Sequence, residues 1–371
     1  MNAPAISDLV PWREFILPRS PWENTWAFNP SIVRIPDDAD HPHAGAWLCN
    51  LRCANYHLPG SAVQENSTHS QNGVARRIRN RNWMLVLDPA TWRAVDAVEV
   101  CDRSEYASSR NAASGHVLGY EDLRLAYSDS DGLIASATTM ICNSDGVLEI
   151  AVLDLDDEYQ IESVQPLRGS WSGRHQKNWM PILPGSGANG EHVRWLYSPE
   201  DGGVHDRSGR MIREHRRVPV PQKTSMIAPD HVRAHATSFQ HGAIGVSLLP
   251  SRQRVAPPRQ TPLDLRGGTQ LIPAPEAGPD RWLGLVHGCR VSTRKDYWHH
   301  AVLVGPAGDL LAISPAMKLS SDHGIEFAAG LARDPSGDGD RLVVTYGIED
   351  DYACLAVTSA RRLLATLEPI A

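Results

Sequence analysis

Residues Gly119-Tyr120-Glu121-Asp122-Leu123-Arg124-Leu125 set two carboxylates and a guanidinium inside an otherwise apolar, strand-like segment. Burying charge costs free energy unless the charge is paired or used. In a regular strand the side chains alternate, so Asp122 and Arg124 would share one face and Glu121 and Leu123 the other. A structural ion pair at a strand end is the plain reading; a reactive acid beside a cation is the sharper one.

The same pattern, a polar leader running into an apolar strand, recurs along the chain. Phe28-Asn29-Pro30, Glu121-Asp122, Lys177-Asn178, Arg266-Gly267-Gly268 and Gly324-Ile325-Glu326 each begin such a unit. Short β-rich runs follow or flank them: 31–35, 47–52, 83–88, 133–138, 147–153, 193–197, 281–287, 300–304 and 341–346. Turn-rich pieces such as Asp129-Ser130-Asp131-Gly132 and Asn143-Ser144-Asp145-Gly146 separate them. Many short strands with hairpin punctuation predict an all-β fold, and five leaders predict a five-bladed β-propeller whose innermost strands gather distant motifs around one cavity. The only helical segment expected is a short one at the C-terminal end, 359–368. The 371 residues are expected to form a single domain, 1–371, with polar insertions at 58–81 and 199–264. Within the second insertion only 243–249 reads as a strand.

The formal charge of −7 and 21% charged residues describe a globular protein with no global attraction for nucleic acid or anionic membrane. No apolar run approaches the length of a membrane span. Residues 1–17 contain Asp8, Arg13 and Glu14 and lack the layout of a secretory signal. The six cysteines are scattered without a CxxC pair, which predicts reduced thiols and a cytoplasmic location. Neither a metal site nor a cofactor is expected: Tyr297-Trp298-His299-His300 lacks HExxH spacing, Arg266-Gly267-Gly268 lacks GxGxxG and P-loop patterns, and Asp154-Leu155-Asp156-Asp157 reads as a turn.

Chemistry-bearing residues fall at strand starts. Pro30 biases Asn29 toward an extended conformation, so its amide can face a cavity. Arg52, sharing a face with Asn50, can ligate an anion or a sugar hydroxyl. Arg174-His175-Gln176-Lys177-Asn178-Trp179 joins cation, amide and indole, a combination that grips sugars by hydrogen bonds and stacking. Gly267-Gly268 permits close backbone approach to a ligand. Glu326, Glu349 and Asp350 complete the acidic inventory, and Tyr297, His299 and Tyr346 add polar rings.

In order, Phe28-Asn29-Pro30, Leu51-Arg52, Glu121-Asp122-Leu123-Arg124, Lys177-Asn178 with Met180-Pro181, Gly267-Gly268, Trp282-Leu283 with His287-Gly288, Gly324-Ile325-Glu326 and Tyr346-Gly347 with Asp350 resemble glycoside hydrolase family 130 over residues 28–357. That resemblance implies a five-bladed propeller among mannoside phosphorylases and β-mannosidases. It makes Asp122 the catalytic general acid of an inverting reaction and carries binding roles onto Arg52, Lys177, Asn178 and Asp350. Asn29, Glu121, Arg124, Arg266, Tyr297, His299, Glu326 and Tyr346 join them as candidate substrate-binding residues. Leu123 stands where the family has proline, and Trp195-Leu196-Tyr197 where it has a phosphate-gripping His-Arg pair. The implied activity is inverting cleavage of a β-mannoside or related glycoside by hydrolysis or phosphorolysis. Its partners would be an oligosaccharide and, in a phosphorylase, inorganic phosphate. The alternatives are a glycosyltransferase using a sugar phosphate or nucleotide sugar on the same propeller, and a non-catalytic sugar-binding propeller. For a hydrolase, Glu326 and Glu349 are candidate bases; for a phosphorylase, Arg52, Lys177, Arg174 and Arg266 are candidate phosphate ligands.

Overall fold

Each polar leader lies at the head of an innermost strand, and the five sheets that these strands begin form a five-bladed β-propeller. The computed structural model describes residues 3–56, 70–71, 74–75, 77–107, 117–169, 172–185, 191–197, 203–213, 265–291, 295–320, 324–336 and 338–370. Blade 1 is Trp26–Arg34, Trp47–Ala54, Ile78–Leu87 and Ala94–Val100. Blade 2 is Glu121–Ser128, Gly132–Thr139, Glu149–Leu155 and Ile161–Pro166. Blade 3 is Met180–Ile182, Arg194–Leu196, Val204–His205 and Met211–Arg213. In blade 4, Arg266–Gly267 and Ile272–Pro273 both pair with Trp282–Val291, followed by Lys295–Val304, Leu310–Ile313 and the late strand Glu368–Pro369. Blade 5 is Glu326–Arg333, Arg341–Ile348 and Tyr352–Ser359, and its outermost strand, Arg13–Ile16, comes from the start of the chain.

That exchange closes the ring. Arg13–Ile16 pairs antiparallel with Tyr352–Ser359, so early and late segments share one sheet and its edge is covered. Side-chain bonds reinforce the closure: the Tyr346 hydroxyl donates to the Glu14 carboxylate, and Thr358 Oγ1 donates to the Pro11 carbonyl at 2.6 Å.

Alternation along the strands supplies the core between blades. Leu48 and Met84 of blade 1 meet Leu123, Leu125 and Leu133 of blade 2. Ile134 and Val152 of blade 2 meet Trp179 and Trp195 of blade 3. Met180 and Leu196 meet Trp282 and Val286 of blade 4; Leu283 and Leu285 meet Leu331 and Val344 of blade 5; and Val343 and Leu355 meet Ile32 and Trp47 of blade 1. Each blade therefore buries both faces, which is why the inner strands read as near-continuous apolar runs.

Outer strands are where the expected boundaries fail. Ala94–Val100 and Ile161–Pro166 are largely exposed or half-buried and carry little apolar alternation. Residues 78–81, expected in a surface insertion, begin the strand Ile78–Leu87. There Arg81 lies 3.7 Å from the Trp22 ring centroid and pairs with Glu99. Residues 203–213, expected to open the second insertion, supply the outer half of blade 3. Within the first insertion Ser70–Gln71 pairs antiparallel with Val74–Ala75; residues 58–69, 72–73, 76, 199–202 and 214–264, which include 243–249, lie outside the described residues. The closing helix is shorter than expected, Ala360–Leu364, because the chain then turns to pair Glu368 with Ile313 on the edge of blade 4.

Candidate functional site

The head of blade 2 departs from regular alternation, and the departure builds the site. Glu121 lies opposite Thr138 and Arg124 opposite Ser136, so Asp122 and Leu123 share one partner in a β-bulge. Asp122 takes a φ of 52°, a left-handed conformation that aspartate tolerates better than most residues. The expected faces are thereby regrouped: Glu121 and Asp122 both reach Arg52, while Leu123 turns into the blade 1–blade 2 core. Asn29 of blade 1 repeats the device, with a φ of 48° at a bulge between Phe28 and Ser31. Its amide donates to Asp122 Oδ1 at 3.0 Å.

Arg52 is the hub. It is 2% exposed and uses its fork in four directions: Nε to Asn80 Oδ1 at 2.8 Å, Nη1 to Asp122 at 2.8 Å and Glu121 at 3.3 Å, and Nη2 to the Tyr56 hydroxyl at 3.0 Å. Phe28 closes one face of the guanidinium, 4.9 Å from its ring centroid. Lys177, reaching in from the head of blade 3, bonds Glu121 at 2.9 and 3.1 Å. Arg124 donates through Nη2 to Asn178 Oδ1 at 3.3 Å and lies 5.3 Å from the Phe327 ring. Asp350 follows the second strand of blade 5 with a φ of 50° and is half-buried.

Two carboxyls in this cluster are driven in opposite directions. Burial pushes Asp122 up, but Arg52, Arg124, the Asn29 amide and Lys177 outweigh it and hold Asp122 below the usual range. Burial pushes Asp350 up to about 6, with Asp122 and Glu121 adding repulsion that Arg52 and Lys295 only partly offset. Asp122 is thus ionised in the resting site, and Asp350 keeps a proton on about half the molecules at pH 6.

Aromatic and imidazole groups from blade 4 wall the other side. His287 is buried, stacked on Tyr297 at 5.4 Å and edge-on to Phe327 at 4.9 Å. Burial, with Arg124 and Arg266 nearby, pulls its pKa down to about 3 and keeps it neutral. His287, Tyr56 and Asn80 were absent from the sequence-derived set. His287 lies beside Gly288, where a Cβ would stand 2.4 Å from the Trp298 ring, but such close packing leaves no local signature.

Several expected ligands prove to be framework. Glu326 is fully buried and accepts the Leu319 and Ser320 amides at 2.8 and 2.9 Å. Glu349 likewise accepts the Gly324 amide at 2.9 Å. Tyr346 is fully buried and holds the ring-closing strand through Glu14. His299 is fully buried, its Nε2 accepting the Ala328 amide at 3.2 Å, which places its proton on Nδ1. Trp179 is 2% exposed and its Nε1 donates to Gln176, so its faces are spent on the core rather than on a sugar. The tight backbone approach at Gly267 and Gly268 is to neighbouring chain: added Cβ atoms would stand 1.9 Å from the Asn178 carbonyl and 2.3 Å from that of Leu285. Arg266 is exposed and faces His287 in register at the blade 4 rim. Among the described residues no cluster could hold a metal ion.

No protein-family model matches the sequence, and no curated protein matches it. Solved structures do share the fold. A β-1,2-mannobiose phosphorylase from Listeria innocua aligns with a TM-score of 0.54 and 14% identity, covering 96% of this chain and 99% of that one. A candidate glycoside hydrolase from Bacteroides ovatus aligns with a TM-score of 0.50 and 12% identity, covering 96% and 95%. At these identities the likeness is one of fold.

Proposed function

We propose that this chain is a carbohydrate-active enzyme that cleaves a glycosidic bond with inversion, its substrate a β-mannoside or a related glycoside. The carrying observation is the pair of carboxyls around Arg52, Asp122 held ionised and Asp350 raised to about 6. Environments that push two acids apart at neutral pH divide the roles of base and acid between them. The L. innocua relative is named for a β-mannoside and phosphorolysis, which supports the substrate class without fixing the reaction.

In the hydrolytic form, a water oxygen bonds the anomeric carbon as its proton passes to Asp122. The bond to the leaving oxygen breaks, and that oxygen takes the proton from Asp350. The resemblance to family 130 would make Asp122 the acid instead; its contacts with Arg52 and Asn29 favour the charged form, so we assign the resting proton to Asp350. Both oxygens of Glu326 are taken by backbone amides and Glu349 Oε1 by another, so we assign the accepting role to Asp122. In a phosphorolytic form phosphate replaces water and needs no strong base.

The test is a product-resolved assay of manno-, gluco- and galacto-oligosaccharides with and without phosphate, run beside Asp122→Asn and Asp350→Asn. Turnover of a mannoside that both variants lose supports the reading. Full activity of Asp122→Asn on the substrate turned over by the wild type, or inertness toward the whole panel, refutes it.

A further inference from the structure

Arg52 meets three kinds of acceptor. Its Nε is satisfied by the amide oxygen of Asn80 and its Nη1 by carboxylates, but Nη2 ends on a phenol, the Tyr56 hydroxyl at 3.0 Å. Asn80 shows that an amide oxygen, which carries no proton, is enough to pair a guanidinium N–H. A phenol brings a proton besides. Because a guanidinium can only donate, the Tyr56 oxygen must accept, and its own O–H is left to point elsewhere. Among the described residues nothing takes that proton.

The ring is held at two points. Tyr56, half-buried just past the end of Trp47–Ala54, stands edge-on to Phe28 at 5.6 Å, and Phe28 in turn closes the Arg52 guanidinium at 4.9 Å. Burial raises the phenol well above its ordinary range; Arg52 pulls it down, and Asp350, then Glu121 and Asp122, push it further up. The hydroxyl is therefore a donor and not a base. Of the three acids Asp350 acts most strongly on Tyr56 and least strongly on Arg52, which sets the phenol on the Asp350 side of the guanidinium. A bond accepted from a cation polarises the O–H and strengthens it as a donor. An oxygen that gains negative charge beside Asp350 would use such a donor best.

We propose that Tyr56 is a further catalytic residue, its hydroxyl donating a hydrogen bond to the leaving oxygen of the glycoside as the bond to the anomeric carbon breaks. The inference rests on the glycoside reading above and deepens it by naming a second donor at the leaving group. Tyr56 keeps its proton throughout, and the proton that the leaving oxygen gains still comes from Asp350. A donor already oriented by Arg52 and Phe28 acts more strongly on the transition state than on the bound substrate, because charge on that oxygen develops only as the bond breaks.

Tyr56→Phe removes the hydroxyl and keeps the ring against Phe28. The test compares kcat/KM of this variant and the wild type on glycosides of one sugar whose leaving groups run from nitrophenol to aliphatic alcohol. The loss should be ~10–100-fold for alcohol leaving groups and shrink to ~2-fold or less for nitrophenol, which carries its negative charge unaided. Monofluorotyrosine at position 56, a more acidic phenol of nearly the same shape, should make the rate depend less steeply on the leaving group than in the wild type. A purely structural Tyr56 would slow every leaving group by the same factor and would not respond to fluorine. Should Tyr56→Phe fail to fold, the fluorinated protein decides alone, and an unchanged slope overturns the proposal. An equal loss across the series, or no loss, overturns it as well and leaves the glycosidase reading standing; a wild type inert toward every glycoside overturns both.

Discussion

Replacing Asp350 by asparagine should make the protein more stable at neutral and alkaline pH, because the native carboxyl is held where its charge is unwelcome. Its pKa rises from an ordinary 3.8 to about 6 on folding. That displacement is worth ~3 kcal/mol, trimmed to ~2 kcal/mol for its partial exposure. The folded-state value is raised, so the acid's favourable contribution is complete below pH 3.8 and is lost as pH climbs through about 6. Asparagine keeps the shape, tolerates the φ of 50° and never ionises. At pH 8 the variant should therefore exceed the wild type by ~2 kcal/mol, and the gap should shrink toward zero near pH 4. With unfolding entropy of about 2 cal/mol/K per residue, that is a melting-temperature gain of ~2–3 °C at pH 8. Thermal melts of both proteins in matched buffers from pH 4 to 8 provide the measurement. Equal melting temperatures at pH 8, or a gain that persists unchanged at pH 4, would refute the view that Asp350 is strained by desolvation and by Asp122 and Glu121.

Asp122→Asn should lower turnover of any active glycoside by at least ~10³-fold yet leave the fold intact, since an amide oxygen can still accept from Arg52 and Asn29; kcat beside a circular-dichroism melt separates the two effects. Glu326→Gln sets an NH2 group against one of the two backbone amides that the carboxylate now accepts, for a loss of ~1–3 kcal/mol with KM unchanged, read by denaturant titration and kinetics together. Tyr346→Phe frees the Glu14 carboxylate from its hydrogen bond across the ring closure and should cost ~1–3 kcal/mol, visible as earlier hydrogen exchange in Arg13–Ile16. Gly268→Ala drives a Cβ to 2.3 Å from the Leu285 carbonyl, backbone that cannot yield, and should reduce soluble yield or lower the melting temperature sharply.

The five polar leaders were legible because the inner strand of every blade is apolar on both faces and any charge at its head stands out. Turn chemistry between those strands separated neighbouring hairpins, and together these two signals were enough for a five-bladed all-β ring. Asp122 and Lys177 could be named for the same reason, and Arg52, in the second strand of blade 1, by the alternation that sets it on one face with Asn50. What the local pattern could not supply was direction. The bulges at Asn29 and Asp122 shift the facing of the residues beside them, and a bulge depends on how a strand meets its partner rather than on its own residues. Glu326, Tyr346 and Trp179 look like ligands in a line of text, yet Glu326 is taken by the amides of the loop just before it, Tyr346 by Glu14 from the start of the chain, and Trp179 by packing across a blade interface. The opposite proton affinities of Asp122 and Asp350 belong wholly to the tertiary structure, because a carboxyl's proton affinity follows from the water it loses and the charges brought beside it, and residues 228 positions apart acquire those only when the ring closes.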